Sequence, residues 1–177
     1  MKKLNFACGN NIRDGWDNCD WQETNRKAIT HTHRETLKGK GVIFCDANKF
    51  PYSFKDNVYD YILLRQCLTL FDNPRKVLVE LHRISKNKAI IHIEVAHYSN
   101  KGAYTDLDAK HWFNEQSFVK FIGHNCRINE KNIFELIELK LIPTKIGRFI
   151  PEIFRRSLSL FINGLYSQIH VDLKIIK

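Results

Sequence analysis

Short apolar runs alternate with longer polar or amphipathic stretches along the chain, which is the pattern of βαβ units and a mostly parallel sheet. The runs that predict strands are Lys3–Ala7, Trp16–Cys19, Gly41–Cys45, Tyr59–Leu64, Ala89–Val95, Phe134–Ile142 and Ile169–Ile176. Runs of this length fit strands better than helices. The pattern therefore predicts an α/β fold with one seven-stranded sheet.

Helical periodicity marks three of the intervening segments. Asn73–Ser85 has Pro74 in its first turn, where proline is tolerated, and apolar residues at helical spacing. Ser117–Gly123 predicts a second, short helix. The polar segment Glu23–Lys40 has no clear period, so we expect an irregular or weakly helical connection there.

The third helical segment, Pro151–Gln168, is both apolar and cationic. Such a segment can lie on a membrane surface, or it can cover the sheet or a substrate pocket with its arginines in solvent. The second interpretation is the one that we favour from the sequence. No run is long enough to span a bilayer, and the apolar stretch at the N-terminus ends at Asn10, too early for a signal-peptide core.

Composition fits a folded domain, and we expect residues 1–177 to form a single one. The net charge of +9 permits an anionic partner such as nucleic acid, but a basic proteome bias explains it equally well. The five cysteines are an odd number without a CxxC pair: Cys8, Cys19, Cys45, Cys67 and Cys126. This usage argues against a disulfide framework or a zinc site and favours a reducing cytoplasm.

The first candidate ligand-binding feature is a tight turn at Gly9, directly after the first predicted strand. Dinucleotide folds need several glycines at this place because a pyrophosphate presses against the helix N-terminus, and no GxGxxG follows here. Asp20 ends the second apolar run and Asp46 the third, so two carboxylates are expected at neighbouring strand ends. Either acid alone can be a turn residue, but the ordered set of Gly9, Asp20 and Asp46 is more specific.

Four motifs resemble class I S-adenosylmethionine (SAM)-dependent methyltransferases. They lie in order over residues 4 to 120 and comprise LNFACGNN with DGWDNCD, CDANKFPY, FKDNVYDYI and LVELHRISK. The resemblance implies a Rossmann-like, doubly wound, seven-stranded sheet with helices on both faces, mostly parallel with an antiparallel last strand. It also implies methyl transfer from SAM, with a cofactor half at about residues 1–95 and acceptor-side elements at about 96–177.

The resemblance also assigns cofactor-binding positions. Ala7, Cys8 and Gly9 would pass beneath the methionine part, and Asn10 is a further cofactor-binding position. Asp20 would hold the ribose, and Asp46 and the backbone of Ala47 would bind the adenine. Arg65 and Gln66 would lie beside the sulfonium and the substrate. Ala7 and Asn11 stand where two glycines of the usual GxGxG are found. A binding module with the fold but without catalysis is therefore a rival, and a basic nucleic-acid binder is another.

The acceptor side should lie past the fourth and fifth strands, where the sequence contains His97, Tyr104 and His111. Methyl transfer needs a general base only when the acceptor must lose a proton. We expect His97 to be that base, then His111, with Tyr104 beside them, although His111 can equally cap the next helix. The acceptor is expected to be a small molecule or a sugar-type metabolite.

Some classes of chemistry are disfavoured by the sequence. The residues after the fourth strand lack the Asn/Asp-Pro-Pro-Tyr signature of DNA amino methylation, and Cys67 lacks the preceding proline of cytosine carbon methylation. His92 and Glu94 share one strand face with His97 beyond, and His31 and His33 are close in sequence. Metal sites need convergent ligands, which the sequence does not demonstrate, so no metal is expected.

Overall fold

The computed structural model of the protein describes residues 1–21, 41–125, 127, 128 and 131–177. The expected connection Glu23–Lys40, with His31 and His33, and the residue Cys126 lie outside the described residues. The described strands are β1 (Lys3–Phe6), β2 (Asp17–Asp20), β3 (Val42–Phe44), β4 (Tyr59–Arg65), β5 (Ser85–Ala96), β6 (Arg127–Ile128), β7 (Lys131–Asn132), β8 (Phe134–Pro143) and β9 (Tyr166–Ile175).

Seven of these strands form one sheet in the order β3-β2-β1-β4-β5-β9-β8, while β6 and β7 pair separately. The pairs β1–β2, β2–β3, β1–β4 and β4–β5 are parallel. The last strand, β9, is inserted antiparallel between β5 and β8. The chain winds outward in both directions from β1 and β4, so the predicted doubly wound sheet with an antiparallel last strand is confirmed.

Helix α1 (Pro74–Ile84) covers the apolar face of the sheet. The side chain of Asn73 accepts a hydrogen bond from the backbone N–H of Lys76 and caps the helix, and Pro74 occupies the first turn. The buried side chains of α1 are those that the periodicity selected: Val77, Leu78, Leu81 and Ile84. They pack against strand residues such as Phe6, Ile62 and Ile91 in one core.

Helix α2 (Glu115–Lys120) begins two residues earlier than the sequence predicted. Asn114 and Ser117 form a reciprocal capping box, in which each side chain accepts from the other residue's backbone N–H. Beyond Lys120 the chain widens into a π-helical turn, Phe121–Asn125, so the predicted end at Gly123 falls inside that turn. Phe118 is the side chain of α2 that enters the core.

The C-terminal helix is much shorter than predicted. Helix α3 (Glu152–Leu158) is followed by turns, and β9 begins at Tyr166 although the sequence predicted helix up to Gln168. Gly164 has φ +81°, a backbone conformation that glycine adopts without strain and that ends the turn before the strand. The segment's apolar side chains are largely exposed, so the expectation that they cover the sheet or pocket is wrong.

Two further strand boundaries differ from the expectation. Strand β5 starts at Ser85, directly after α1, because Lys88 at φ +66° allows an irregularity in its pairing with β4. Strand β2 extends one residue further than predicted, to Asp20.

Within the described residues, no helix has both the length and the apolar composition needed to cross a lipid bilayer.

Candidate functional site

A cleft of about 720 Å³ opens at the carboxyl ends of the parallel strands. The strand order reverses between β1 and β4, and α/β sheets bind ligands outside the strand ends at such a reversal. The size lies in the ordinary range of small-molecule sites. The topology and the cavity therefore point to the same edge of the sheet.

Most of the residues that the sequence nominated for cofactor binding line this cleft. They are Ala7, Cys8, Gly9, Asp20, Asp46, Ala47, Arg65 and Gln66. Asn10 is not among the lining residues, and neither are the acceptor-side candidates His97, Tyr104 and His111. The structure thus brings the first group together around one cavity and leaves the second group outside its walls.

The bend after β1 contains two residues in the left-handed backbone region, Ala7 at φ +51° and Gly9 at φ +53°. Glycine adopts this conformation freely, whereas alanine does so at a cost of roughly 1–2 kcal/mol. Ala7 therefore holds a backbone conformation typical of glycine, at the expense of strain. Asn11 is exposed and lies outside the lining, so its side chain does not narrow the cleft.

Backbone and carboxylate hydrogen bonds hold this bend against β2. The N–H of Cys8 donates to the carbonyl of Cys19 at 2.9 Å, and the N–H of Gly9 donates to Oδ2 of Asp20. Oδ1 of Asp20 accepts from the N–H of Trp21 at 2.6 Å. Asp20 therefore anchors the bend, and its side chain also lines the cleft.

Asp46 lies on the same cleft, in the turn after β3. Its Oδ1 accepts from the N–H of Asn48 at 2.9 Å, and its Oδ2 lies 3.3 Å from Nζ of Lys49. The two acids that the sequence placed at neighbouring strand ends therefore face one cavity.

The cleft is locally acidic although the whole chain carries +9. Its described lining holds the carboxylates of Asp20, Asp46, Asp72, Asp106 and Asp108, against the cations Lys49, Arg65 and Lys110. An excess of carboxylates attracts a cationic ligand and repels a polyphosphate. Among the described residues, the basic character of the protein is thus not expressed in the cleft.

Two thiols near the cleft are poor nucleophiles. Burial and the nearby Asp20 carboxylate raise the pKa of Cys8 to about 11. Burial raises the pKa of Cys67 well above its usual range. Both side chains are protonated at neutral pH, and it is the thiolate that reacts, so their role here is packing.

Gln66 stands at the carboxyl end of β4 with φ +54°, a strained backbone for this residue type. Its N–H donates to the carbonyl of Glu94 at 2.8 Å, and Nε of the neighbouring Arg65 lies 3.1 Å from Oε2 of the same residue. Strained backbone is concentrated at functional sites, and here it occurs on both strands that flank the reversal, at Ala7 and Gln66.

His97 is buried, and both of its ring nitrogens face protein groups. Nδ1 accepts from the N–H of Ser99 at 3.3 Å and lies 2.7 Å from that residue's hydroxyl. Nε2 lies 3.6 Å from Oε2 of Glu115. Burial lowers the pKa of His97, and Glu115 opposes that shift. The neutral ring with its proton on Nε2 satisfies these contacts.

His111 and Tyr104 differ from His97 in their surroundings. Nε2 of His111 is buried and has no hydrogen-bond partner among the described residues. Tyr104 is exposed and stacks on Trp112, with ring centroids 5.6 Å apart. The indole N–H of Trp112 donates to the carbonyl of Ala103 at 3.1 Å, which fixes the loop beneath the stacked pair.

The sequence analysis missed part of the rim. Lys110 forms an ion pair with Asp72, and the N–H groups of Lys110 and His111 both donate to the carbonyl of Thr69, at 2.9 and 3.2 Å. The loop after β5 is thereby fastened beside the loop after β4. No local pattern marked Lys110 or Asp72, because their relation is a contact between separate loops.

Comparison with solved structures places the fold among SAM-dependent methyltransferases. A SAM-dependent methyltransferase from Archaeoglobus fulgidus has a TM-score of 0.66 and 15% identity, over 98% of this chain and 86% of that one. A putative methyltransferase from Bacillus halodurans C-125 has a TM-score of 0.61 and 15% identity, over 99% and 93%. The [4+2]-cyclase SpnF has a TM-score of 0.62 and 13% identity, over 99% and 74%.

The resemblance to class I methyltransferases is therefore confirmed for the fold. No curated protein matches the sequence. The family model described as "Methionine biosynthesis protein MetW" matches residues 21–116, which is more than half of the chain. That range runs from the residue after β2 into α2 and includes Asp46, Arg65 and the acceptor-side loop. The chain belongs to the MetW family.

Proposed function

We propose that the protein binds S-adenosylmethionine in the cleft and transfers its methyl group to a small molecule or a sugar-type metabolite. The observation that carries this proposal is the convergence of Asp20, Asp46 and the Ala7–Gly9 bend on one acidic cavity. A bend without a phosphate-binding glycine loop suits a ligand that has no phosphate. The fold agrees with this assignment.

Each part of the lining has a role in this proposal. The Ala7–Gly9 bend would lie beneath the methionine part of the ligand, where close backbone approach is needed. The carboxylate of Asp20 would accept hydrogen bonds from the ribose hydroxyls, and Asp46 with the backbone of Ala47 would bind the adenine. Arg65 and Gln66 would flank the sulfonium and the acceptor.

Bound SAM would supply an electrophilic methyl carbon on a positively charged sulfur. The acidic lining favours that charge, and alignment with exclusion of water accounts for most of the rate enhancement in such a displacement. The protein's own residues would therefore mainly position the ligands and shield the methyl group from water. The loop held by the Lys110–Asp72 ion pair would form the wall on the acceptor side.

Among the three acceptor-side candidates, none of which lines the cleft, we propose His111 as the general base. Its Nε2 is buried and without a partner among the described residues, whereas both nitrogens of His97 are already engaged. A base must reach the proton that it removes, and an engaged nitrogen must first give up its partner. We assign His97 to holding the loop and Tyr104, with Trp112, to an aromatic cover.

Titration calorimetry with S-adenosylhomocysteine tests the binding half of this proposal. We expect one ligand per chain, and absence of heat at millimolar ligand would refute it. Isotope-labelled SAM incubated with a metabolite extract tests the second half, with label expected in the small-molecule fraction. His111→Gln should abolish labelling and leave the affinity for S-adenosylhomocysteine unchanged.

The remaining outcomes separate the rivals. Binding without any labelled product means a binding module that has the fold but does not transfer a methyl group. Label in the nucleic-acid fraction alone means a nucleic-acid acceptor, against which the acidic cleft argues. We also propose a cytoplasmic location, which the four described free thiols support.

A further inference from the structure

The sheet face opposite the α1 core bears a polar cluster on β5 and β9. His92 and Glu94 alternate along β5 with the buried Ile91 and Ile93, so they share the other face. In the antiparallel register His92 lies opposite Asp172, and Glu94 lies opposite His170. Two histidines and two acids therefore form a compact group across two neighbouring strands.

We propose that His92, Glu94 and His170 bind a late first-row divalent cation of the Zn²⁺ class. One nitrogen or oxygen atom from each of these three residues lies within 4.8 Å of the other two. Two imidazoles and one carboxylate are a donor set that zinc takes with a fourth position left open. In the sequence analysis His92 and Glu94 were grouped with His97, whereas in the fold they lie next to His170.

The separation of the first two ligands already suits an ion. Nε2 of His92 lies 3.5 Å from Oε1 of Glu94. Ligand atoms of a tetrahedral zinc site lie about 2.0–2.2 Å from the metal, and therefore roughly 3.4 Å from one another. The His170 ring stands edge-on to that of His92, with centroids 5.6 Å apart, and its Nε2 contacts Gln168 at 3.0 Å. A rotation of this ring away from Gln168 would complete the set.

Neighbouring groups orient the ligands. Oδ1 of Asp172 lies 2.5 Å from Nδ1 of His92, which directs the Nε2 lone pair toward Glu94. Metal-binding histidines have such a carboxylate partner on the other ring nitrogen in many proteins. Nε of Arg65 holds Oε2 of Glu94 at 3.1 Å and leaves Oε1 for the ion. The ring of His92 also lies between the carboxylates of Asp172 and Glu94, so the experiment must distinguish metal binding from hydrogen bonding alone.

The test uses untagged, chelator-treated full-length protein titrated with ZnCl₂, and with Co²⁺ for its visible absorption. We expect one ion per chain and a tetrahedral Co²⁺ spectrum with nitrogen ligation. His170→Gln and Glu94→Gln should each weaken binding more than about tenfold, and Asp172→Asn by about 10- to 100-fold. Because bound metal stabilises only the folded state, Zn²⁺ should also raise the Tm of the wild type.

Control variants at histidines outside the proposed site test whether metal binding depends on the three proposed ligands. His82→Gln changes another partly buried histidine, whose Nε2 contacts the carbonyl of Ile176, and should leave the affinity unchanged. The double variant His31→Gln/His33→Gln should do the same. Absence of stoichiometric binding, binding that survives in His170→Gln, or binding lost only with His31 and His33 would overturn the proposal.

A second observation, independent of the first, concerns the segment between β8 and β9, residues 144–165, which we name the basic loop. Its base is closed by hydrogen bonds from the N–H of Thr144 to the carbonyl of Leu165 and from its hydroxyl to the carbonyl of Gly164, at 2.9 and 2.7 Å. Arg155 donates to the carbonyls of Gly147 and Ile150, both at 2.7 Å. The basic loop is therefore an ordered unit.

Large apolar side chains of the basic loop nevertheless face outward. Phe149 is 88% exposed and Phe161 86%. The other exposed apolar residues of the loop are Ile146, Ile153, Phe154, Leu158, Leu160 and Ile162. Isolated exposed apolar residues are ordinary, but eight of them within one 22-residue segment indicate an interaction surface.

We infer that this surface docks on an anionic lipid bilayer. The loop contains Lys145, Arg148, Arg155 and Arg156 against one acid, Glu152. Aromatic and aliphatic side chains next to cations are the composition of segments that lie in the headgroup region of acidic membranes. Tyr166, at the end of this loop, packs near His97, with ring centroids 5.7 Å apart, so docking would bring the acceptor side near the bilayer.

Vesicle co-sedimentation tests this inference. We expect binding to vesicles that contain phosphatidylglycerol, weaker binding at high salt, and little binding to phosphatidylcholine alone. Phe149→Asp with Phe161→Asp should reduce binding at least about tenfold because charged residues are strongly disfavoured in the apolar region. Leu107→Asp, at an apolar residue that is 99% exposed elsewhere, is the control and should bind normally. No binding to either vesicle overturns the inference, as does a stable dimer that the Phe149 and Phe161 changes dissociate.

Discussion

Replacing Asp20 by asparagine is the most direct test of the candidate cofactor site. The change keeps the size of the side chain and removes its charge. In the wild type Asp20 accepts from the N–H groups of Gly9 and Trp21, and it lines the cleft between them. Asparagine can accept on one atom only, and its NH₂ group would oppose the other donor.

The magnitude follows from the hydrogen bonds that a ribose would lose. Hydrogen bonds to a charged group contribute about 1.5–3 kcal/mol, and Asp20 is only partly buried, so we expect a loss of about 1–3 kcal/mol in binding free energy. That loss corresponds to a rise of about 5- to 150-fold in the Kd for S-adenosylhomocysteine. The free energy of unfolding should fall by only about 1 kcal/mol, because one of the two backbone donors keeps its acceptor.

Calorimetry on the wild type, Asp20→Asn and Asp14→Asn measures this difference. Asp14 is exposed, precedes β2 and does not line the cleft, so its replacement removes the same charge without touching the site. We expect the Kd of Asp14→Asn to remain within about twofold of the wild type, since a distant exposed charge is strongly screened. Equal affinities for all three proteins would show that Asp20 only holds the bend, and the reasoning for the ribose position would fail.

Three other perturbations follow from the structure. Gly9→Ala should lower the free energy of unfolding by about 1–2 kcal/mol, because alanine is strained at φ +53° even with open space for its Cβ. Arg83→Lys should cost about 1–3 kcal/mol, because lysine cannot reproduce the hydrogen bonds of Arg83 to Glu80 and to the carbonyls of Phe54 and Tyr52. The lowered pKa of His97 means that the folded state binds its proton less readily than the unfolded chain, so stability should fall as pH drops below about 6.5, and less steeply in His97→Gln.

Denaturant unfolding measures all three, each with its own control. Gly123→Ala should be near neutral, since Gly123 lacks a positive φ and has open space at the Cβ position. Asp56→Asn should cost less than Arg83→Lys, because Asp56 is exposed and only one of several acceptors for that arginine. A parallel pH dependence in wild type and His97→Gln would contradict the assigned protonation. Loss of stability in Gly123→Ala as large as in Gly9→Ala would contradict the strain argument.

The sequence by itself determined the sheet and most of the cofactor side. Apolar runs locate strands because buried parallel strands need continuous apolar residues, and the runs found all seven strands of the main sheet. Asp20 and Asp46 lie at the same edge of the sheet because each stands at the end of a strand, and neighbouring parallel strands end on the same side. The positions of Gly9, Asp20 and Asp46 therefore follow from local pattern and connectivity, whereas the other cofactor-binding positions were implied by the family resemblance.

Only the tertiary structure decided the rest. The pairing of β5 with β9 joins His92 to His170, although these residues are far apart in the chain, and no periodicity within either strand indicates that partner. The length of α3 was overestimated because apolar spacing predicts a helix whether its face is covered or exposed, and here it is largely exposed. The local sequence specifies which side chains of a strand or helix share a face. The register between distant strands, and whether an apolar face is covered by another element, depend on how the whole chain packs.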